Sequence, residues 1–210
     1  LSIYENGYGA INLPFTLSET GTSHTRSVHP LSLIQTGQFV SKLQSVNFRF
    51  DNPYLFSTKA QMCRTVSKFS DIAFNTWSCD GRCRIANQSM QCGHCSSCLL
   101  RRMSLLNAFG FDKTGYVNVI DSSEEKRASH FTAMRLQAIK LEDAFKANDP
   151  WEALSERYVC LRQISGHMSK EWNMTESSIQ SQLLQIYRNH VNEWKYAEPW
   201  LEKSLLGEQS

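Results

Sequence analysis

Apolar residues recur three and four apart through most of the second half of the chain, which is the spacing of helices with one buried face. Phe131, Met134, Ala138, Leu141 and Phe145 form one such seam, preceded by a capping box at Ser122 and Glu125. Asp149-Pro150-Trp151-Glu152 restarts the chain with a cap, a first-turn proline and an acid. The helix it opens buries Leu154, Tyr158 and Leu161, joined by Cys160 and Ile164. A third helix is predicted over 175–196, with Ile179, Leu183, Ile186, Tyr187, Val191 and Trp194 on one side. Trp172, Trp194 and Trp200 read as core or interface anchors.

The first half is punctuated more often. Glu5-Asn6-Gly7 is turn chemistry, and Ile11 and Leu13 flanking Asn12 suggest a short strand before Pro14. Pro30 suits a helix first turn, with Leu31, Ile34, Phe39 and Leu43 as the expected buried face. Phe48-Arg49-Phe50 alternates as a strand would, and Asp51-Asn52-Pro53 turns the chain. Thr58 and Gln61 form a capping box for a helix to about residue 67, with Cys63 a buried thiol on it. Leu99, Leu100, Met103, Leu106 and Phe109 line a helix over 96–109 that Gly110 stops. Arg101 and Arg102 are expected off that face, as a solvated flank or an anion contact.

Composition narrows the function classes. In 210 residues, 41% are hydrophobic, enough for a real core, and the net charge is +2. That balance calls for neither a nucleic-acid nor a membrane partner. No apolar run approaches the roughly 20 residues of a membrane helix, and no signal peptide is visible. The odd cysteine count and close clustering favour a reducing, cytoplasmic setting over disulfides.

The chemistry concentrates in residues 76–98, which hold five of the seven cysteines. Cys92, Cys95 and Cys98 sit three apart, so two-residue gaps can fold their thiolates onto one ion, and Gly93 supplies the turn. Cys79 or Cys83 completes a tetrahedral zinc site, and the last ligand pins a helix N-terminus. Two weaker signals accompany it. The polar loop 20–30 offers Arg26 as a bidentate fork for an anion. Lys59 falls in a helix first turn, where the macrodipole disfavours a cation unless an anionic ligand lies nearby. The chain contains no glycine-rich phosphate loop and no complete catalytic set. Because it begins with Leu1 directly in a structured segment, a preceding natural portion is expected.

Taken together, Glu5-Asn6-Gly7, Asn12-Leu13-Pro14, Thr25-Arg26 with His29-Pro30, Thr58-Lys59 and the Cys79 to Cys98 signature resemble the C-terminal half of the 7-cyano-7-deazaguanine synthase (QueC) family over about residues 4–115. That resemblance implies an α/β fold: the C-terminal portion of a Rossmann-like HUP domain with a zinc knuckle over 1–115, followed by a helical extension over 116–210. It implies ATP with Mg2+ as cosubstrate wherever an N-terminal phosphate-loop half is present. A carboxylate, deazapurine-like or on a protein, is then adenylated, and ammonia is added to give an amide or nitrile. Cys79, Cys92, Cys95 and Cys98 match the family's zinc ligands, Arg26 and Lys59 its catalytic basic positions, and Glu5, Thr25 and His29 further nucleotide- or substrate-binding positions. The extension lies outside the housekeeping pattern and fits a QueC-like protein of antiphage defence that docks a partner protein. A homodimer is a family trait. Two other readings compete: a non-catalytic zinc-stapled scaffold that docks a partner through its helices, and a zinc-knuckle nucleic-acid binder, which the +2 charge disfavours.

Overall fold

The computed structural model of the chain describes residues 1–15, 27–80, 84–85, 88–117 and 124–206. Among them the regular structure is almost wholly helical: α1 Gly7–Ile11, α2 Pro30–Gln44, α3 Lys59–Thr65, α4 Ser70–Asn75, α5 Ser96–Phe109, α6 Glu124–Phe145, α7 Pro150–Arg157, α8 Cys160–Trp172 and α9 Glu176–Leu206. Strands β1 (Arg84–Ile85) and β2 (Gln88–Ser89) form a minimal antiparallel pair, with Arg84 opposite Ser89 and Ile85 opposite Gln88. The α/β, Rossmann-like expectation is therefore corrected. The described residues contain no parallel sheet, only this hairpin and two isolated bridges, Ser2 with Asp51 and Gln91 with Tyr116.

The two expected strands fail for local reasons. Asn6 caps a helix instead of making a turn: its side-chain oxygen accepts the Gly9 N–H at 2.9 Å. Asn12 then ends α1 in the left-handed region at φ 48°, so Ile11 closes a helical turn. At Phe48 the Ser41 hydroxyl of α2 both accepts the backbone N–H and donates to the carbonyl, each at 2.9 Å. Those bonds take the groups a neighbouring strand would need.

The chain divides into two compact units, residues 1–58 with 139–190, and residues 59–138 with 191–210. Each unit draws on chain from both sides of position 115.

In the first unit, α2 packs on α8 and α7 on α8. The His29 ring caps α2 by accepting the Leu31 N–H, with Pro30 at the first position. The buried face of α2 is Pro30, Ile34 and Gly37, whereas Phe39 and Leu43, expected inside, stand 63% and 65% exposed. Gly37 explains the difference: a Cβ there would meet the Phe48 carbonyl at 3.4 Å, so this face lies flush against the chain at 48–50. The single helix expected from Pro150 is two. It breaks at Tyr158 (φ −125°, ψ 77°), and Arg162 of α8 reaches back to the Ser155 hydroxyl at 3.0 Å and Glu152 at 2.6 Å. Leu154, Leu161, Ile164, Met168, Ile179, Leu183 and Ile186 fill the core.

In the second unit, α3 packs along α5, and Cys63 sits half-buried against Ala73, Phe74 and Leu105. Burial pushes its thiol pKa up. Phe74 packs edge-on to Phe109, and Phe131 lies 5.5 Å from Trp194. Gly110 ends α5 at φ 82°, its N–H donating to Leu106. Helix α9 runs ten residues past its expected end, with Pro199 inside it. Among the described residues no helix is long and apolar enough to cross a membrane.

Candidate metal centre

The second unit brings Cys79, Cys92, Cys95 and Cys98 together, their ligand atoms all within 4.8 Å of one another. Two limbs of chain deliver them. Cys92 to Cys95 form a turn around Gly93, whose φ of 79° only glycine adopts without strain. Cys95 then sits at the N-cap of α5, and Cys98 lies in that helix's first turn. The Cys79 limb is held to the turn by Gln91, whose amide accepts the Ser78 N–H at 2.9 Å and donates to the Thr76 carbonyl at 3.0 Å. The Trp77 indole N–H donates to the Cys79 carbonyl at 2.9 Å.

The sulfurs suit a tetrahedral ion. Zn–S bonds of about 2.3 Å place the sulfurs about 3.8 Å apart, and Cys92 Sγ lies 3.8 Å from Cys98 Sγ. Backbone N–H groups already point at sulfur: Cys92 N–H donates to Cys79 Sγ and Cys95 N–H to Cys92 Sγ, each at 3.3 Å. Such donors favour thiolates, the form a metal binds. Hydrogen bonds from the Cys95 and Cys98 thiols hold Cys92 down to about 3, while Cys98, hydrogen-bonded to Cys92, is pushed up. The six described cysteines form no disulfide. Among the described residues the fourth thiol is Cys79; Cys83, the alternative in the sequence, lies outside them.

The two arginines that follow are buried, not solvated: Arg101 is 2% and Arg102 7% exposed. Arg101 donates to the carbonyls of Ala73 and Phe74 at the end of α4 and to the hydroxyls of Thr76 and Thr114. It thereby satisfies carbonyls a helix C-terminus leaves open. Arg102 donates to the Gly93 carbonyl at 3.0 Å and to the Ser204 hydroxyl at 2.6 Å. Its guanidinium lies 4.9 Å from the ring centroids of both Tyr116 and Trp200. Burial lowers its pKa from the usual arginine value. Two adjacent arginines one turn past a ligand, on an otherwise uncharged helix, were the signal that could have exposed this support.

The expected nucleotide-site residues are divided between the two units and the residues not described. Thr25 and Arg26 lie outside the described residues. Glu5, in the first unit, turns its carboxylate onto the Asn6 N–H at 2.9 Å and the Asn6 amide. His29, also there, is buried and uses Nδ1 to cap α2. Lys59, in the second unit, is the half-buried first residue of α3, a first turn without an acid.

Residues 31–109 match the family described as "Queuosine biosynthesis protein QueC". The match holds Lys59 and all four clustered cysteines; Glu5, Thr25, Arg26, His29 and α6 to α9 fall outside it. No curated protein and no solved structure matches the chain.

Proposed function

We propose that this chain is the zinc-bearing portion of a QueC-like, ATP-dependent enzyme, with the metal in a structural role. The observation that carries the reading is that the four converging thiols lie on the segment that matches QueC. Four cysteines fill a tetrahedral ion's coordination and leave no open position for substrate, which is the pattern of a structural zinc site. Cys79, Cys92, Cys95 and Cys98 would hold the ion, and the ion would supply folding energy rather than Lewis acidity.

The chemistry belongs elsewhere in the enzyme. A substrate carboxylate oxygen attacks the α-phosphorus of ATP, pyrophosphate leaves, and ammonia displaces AMP from the adenylate to give the amide. Lys59, at the start of α3, and Arg26 are the residues proposed to meet the phosphates, with Glu5, Thr25 and His29 on the substrate side. The substrate class is a deazapurine carboxylate or a related acid. Docking of a partner protein through residues 116–210, in a cytoplasmic antiphage system, is the finer form of the reading.

The test is AMP and pyrophosphate release by the full natural polypeptide with MgATP, ammonium and 7-carboxy-7-deazaguanine as probe. Carboxylate-dependent AMP formation that Lys59→Ala abolishes, with zinc content and melting temperature unchanged, is the expected result. Zinc-loaded polypeptide that forms no AMP would move the assignment to a zinc-stapled scaffold.

A further inference from the structure

Near its C-terminus, one side of helix α9 engages the metal centre's support. Leu201 is fully buried, and beside it Trp200 and Ser204 both engage Arg102. Pro199 lacks an N–H, so the helical ladder is weakened immediately before this turn. Contacts from outside the helix must then hold the turn in place. Arg102 supplies some of these, beside the buried Leu201 and the ion pair of Arg135 with Glu202, and it also donates to the carbonyl of Gly93, inside the Cys92 to Cys95 turn.

That carbonyl accepts from Arg102 with Gly93 in its left-handed conformation, between two of the clustered cysteines. An ion gripped by Cys92 and Cys95 would fix this conformation. A tetrathiolate zinc site also carries net negative charge, and Arg102 is a buried cation next to it, with Tyr116 on one side and Trp200 on the other. Without the ion the turn can relax, the carbonyl can swing away, and the buried guanidinium loses an acceptor it needs.

We propose that metal occupancy of the four-cysteine site is linked, through Arg102, to the seating of the C-terminal part of α9 at Trp200 to Ser204. The end of this helix is thus a reporter of the metal state of the knuckle. The inference rests on the reading that the four cysteines hold an ion.

Hydrogen exchange of the purified chain, zinc-loaded and chelator-stripped, tests it, read on peptides spanning 198–206 with α8 as an internal control. The expected result is exchange at 198–206 faster by about tenfold on stripping, within the usual range of coupling between sites, and no change in α8. Linkage is reciprocal, so Trp200→Ala, which leaves every ligand cysteine in place, should weaken zinc binding by the same factor in a chelator competition. Equal protection of 198–206 in both forms, or unchanged zinc affinity in Trp200→Ala, overturns the proposal while leaving the metal site standing. A chain that binds no zinc removes the metal reading and this inference together.

Discussion

Arg102 donates a hydrogen bond to the carbonyl of Gly93, 3.0 Å away, and so ties helix α5 to the turn that presents two of the four clustered cysteines. Nine sequence positions separate the two residues. The helix that carries Cys98 in its first turn is therefore also the helix that braces the turn delivering Cys92 and Cys95.

Gly93 should tolerate no side chain. Its φ is 79°, and a Cβ would stand 3.1 Å from the Tyr116 ring. Gly93→Ala is expected to cost about 1–3 kcal/mol from the left-handed conformation alone and to weaken zinc retention. Thermal melting together with chelator competition measures both. A variant that melts and retains zinc as the parent does would show that the turn does not depend on this conformation.

Arg101 should be a stability residue with no role in metal binding. Its guanidinium satisfies two carbonyls at the end of α4 and is 2% exposed. Arg101→Met takes the donor from the Phe74 carbonyl, while the Ala73 carbonyl still accepts from the Thr76 hydroxyl, at an expected cost of about 1–3 kcal/mol. Denaturant unfolding monitors this, with zinc content per folded chain expected to stay constant. A loss below about 1 kcal/mol would contradict the bracing role.

His190 should make the fold acid-sensitive. It is 1% exposed, stacks 3.7 Å from the Tyr8 ring, and has no hydrogen-bond partner on either ring nitrogen among the described residues. Burial pushes its pKa down to about 3, against roughly 6.5 in an unfolded chain. The unfolded state therefore takes up the proton first. Stability is unaffected well above roughly pH 6.5 and falls between there and about pH 3, by about 1.4 kcal/mol per unit. His190→Phe keeps an aromatic stack and should flatten the dependence between about pH 6 and 4. Unfolding curves across that range decide it; an equally steep variant would assign the acid sensitivity to other groups.

Much of the helical framework was legible because its seams repeat three and four apart. The 96–109 helix, its Gly110 stop and the Asp149 cap all stand where the pattern put them. The four thiols were legible because their spacing is itself the chemistry. What escaped depended on side-chain partners outside the helical and strand repeats. The Ser41 side chain takes the backbone groups of Phe48, which no alternation pattern reveals. Arg101 and Arg102 look solvated until Thr76, Gly93, Tyr116 and Ser204 surround them. The apolar side chains of Phe39 and Leu43 suggested a buried face, but the close approach that Gly37 permits turned the other face inward.

Native mass spectrometry of the purified chain shows whether Cys79, Cys92, Cys95 and Cys98 hold a zinc ion. The expected result is a single zinc ion per chain, lost in Cys95→Ser and kept in Cys63→Ser and Cys160→Ser. A chain of apo mass after purification without chelator, or full zinc content in Cys95→Ser, would contradict it.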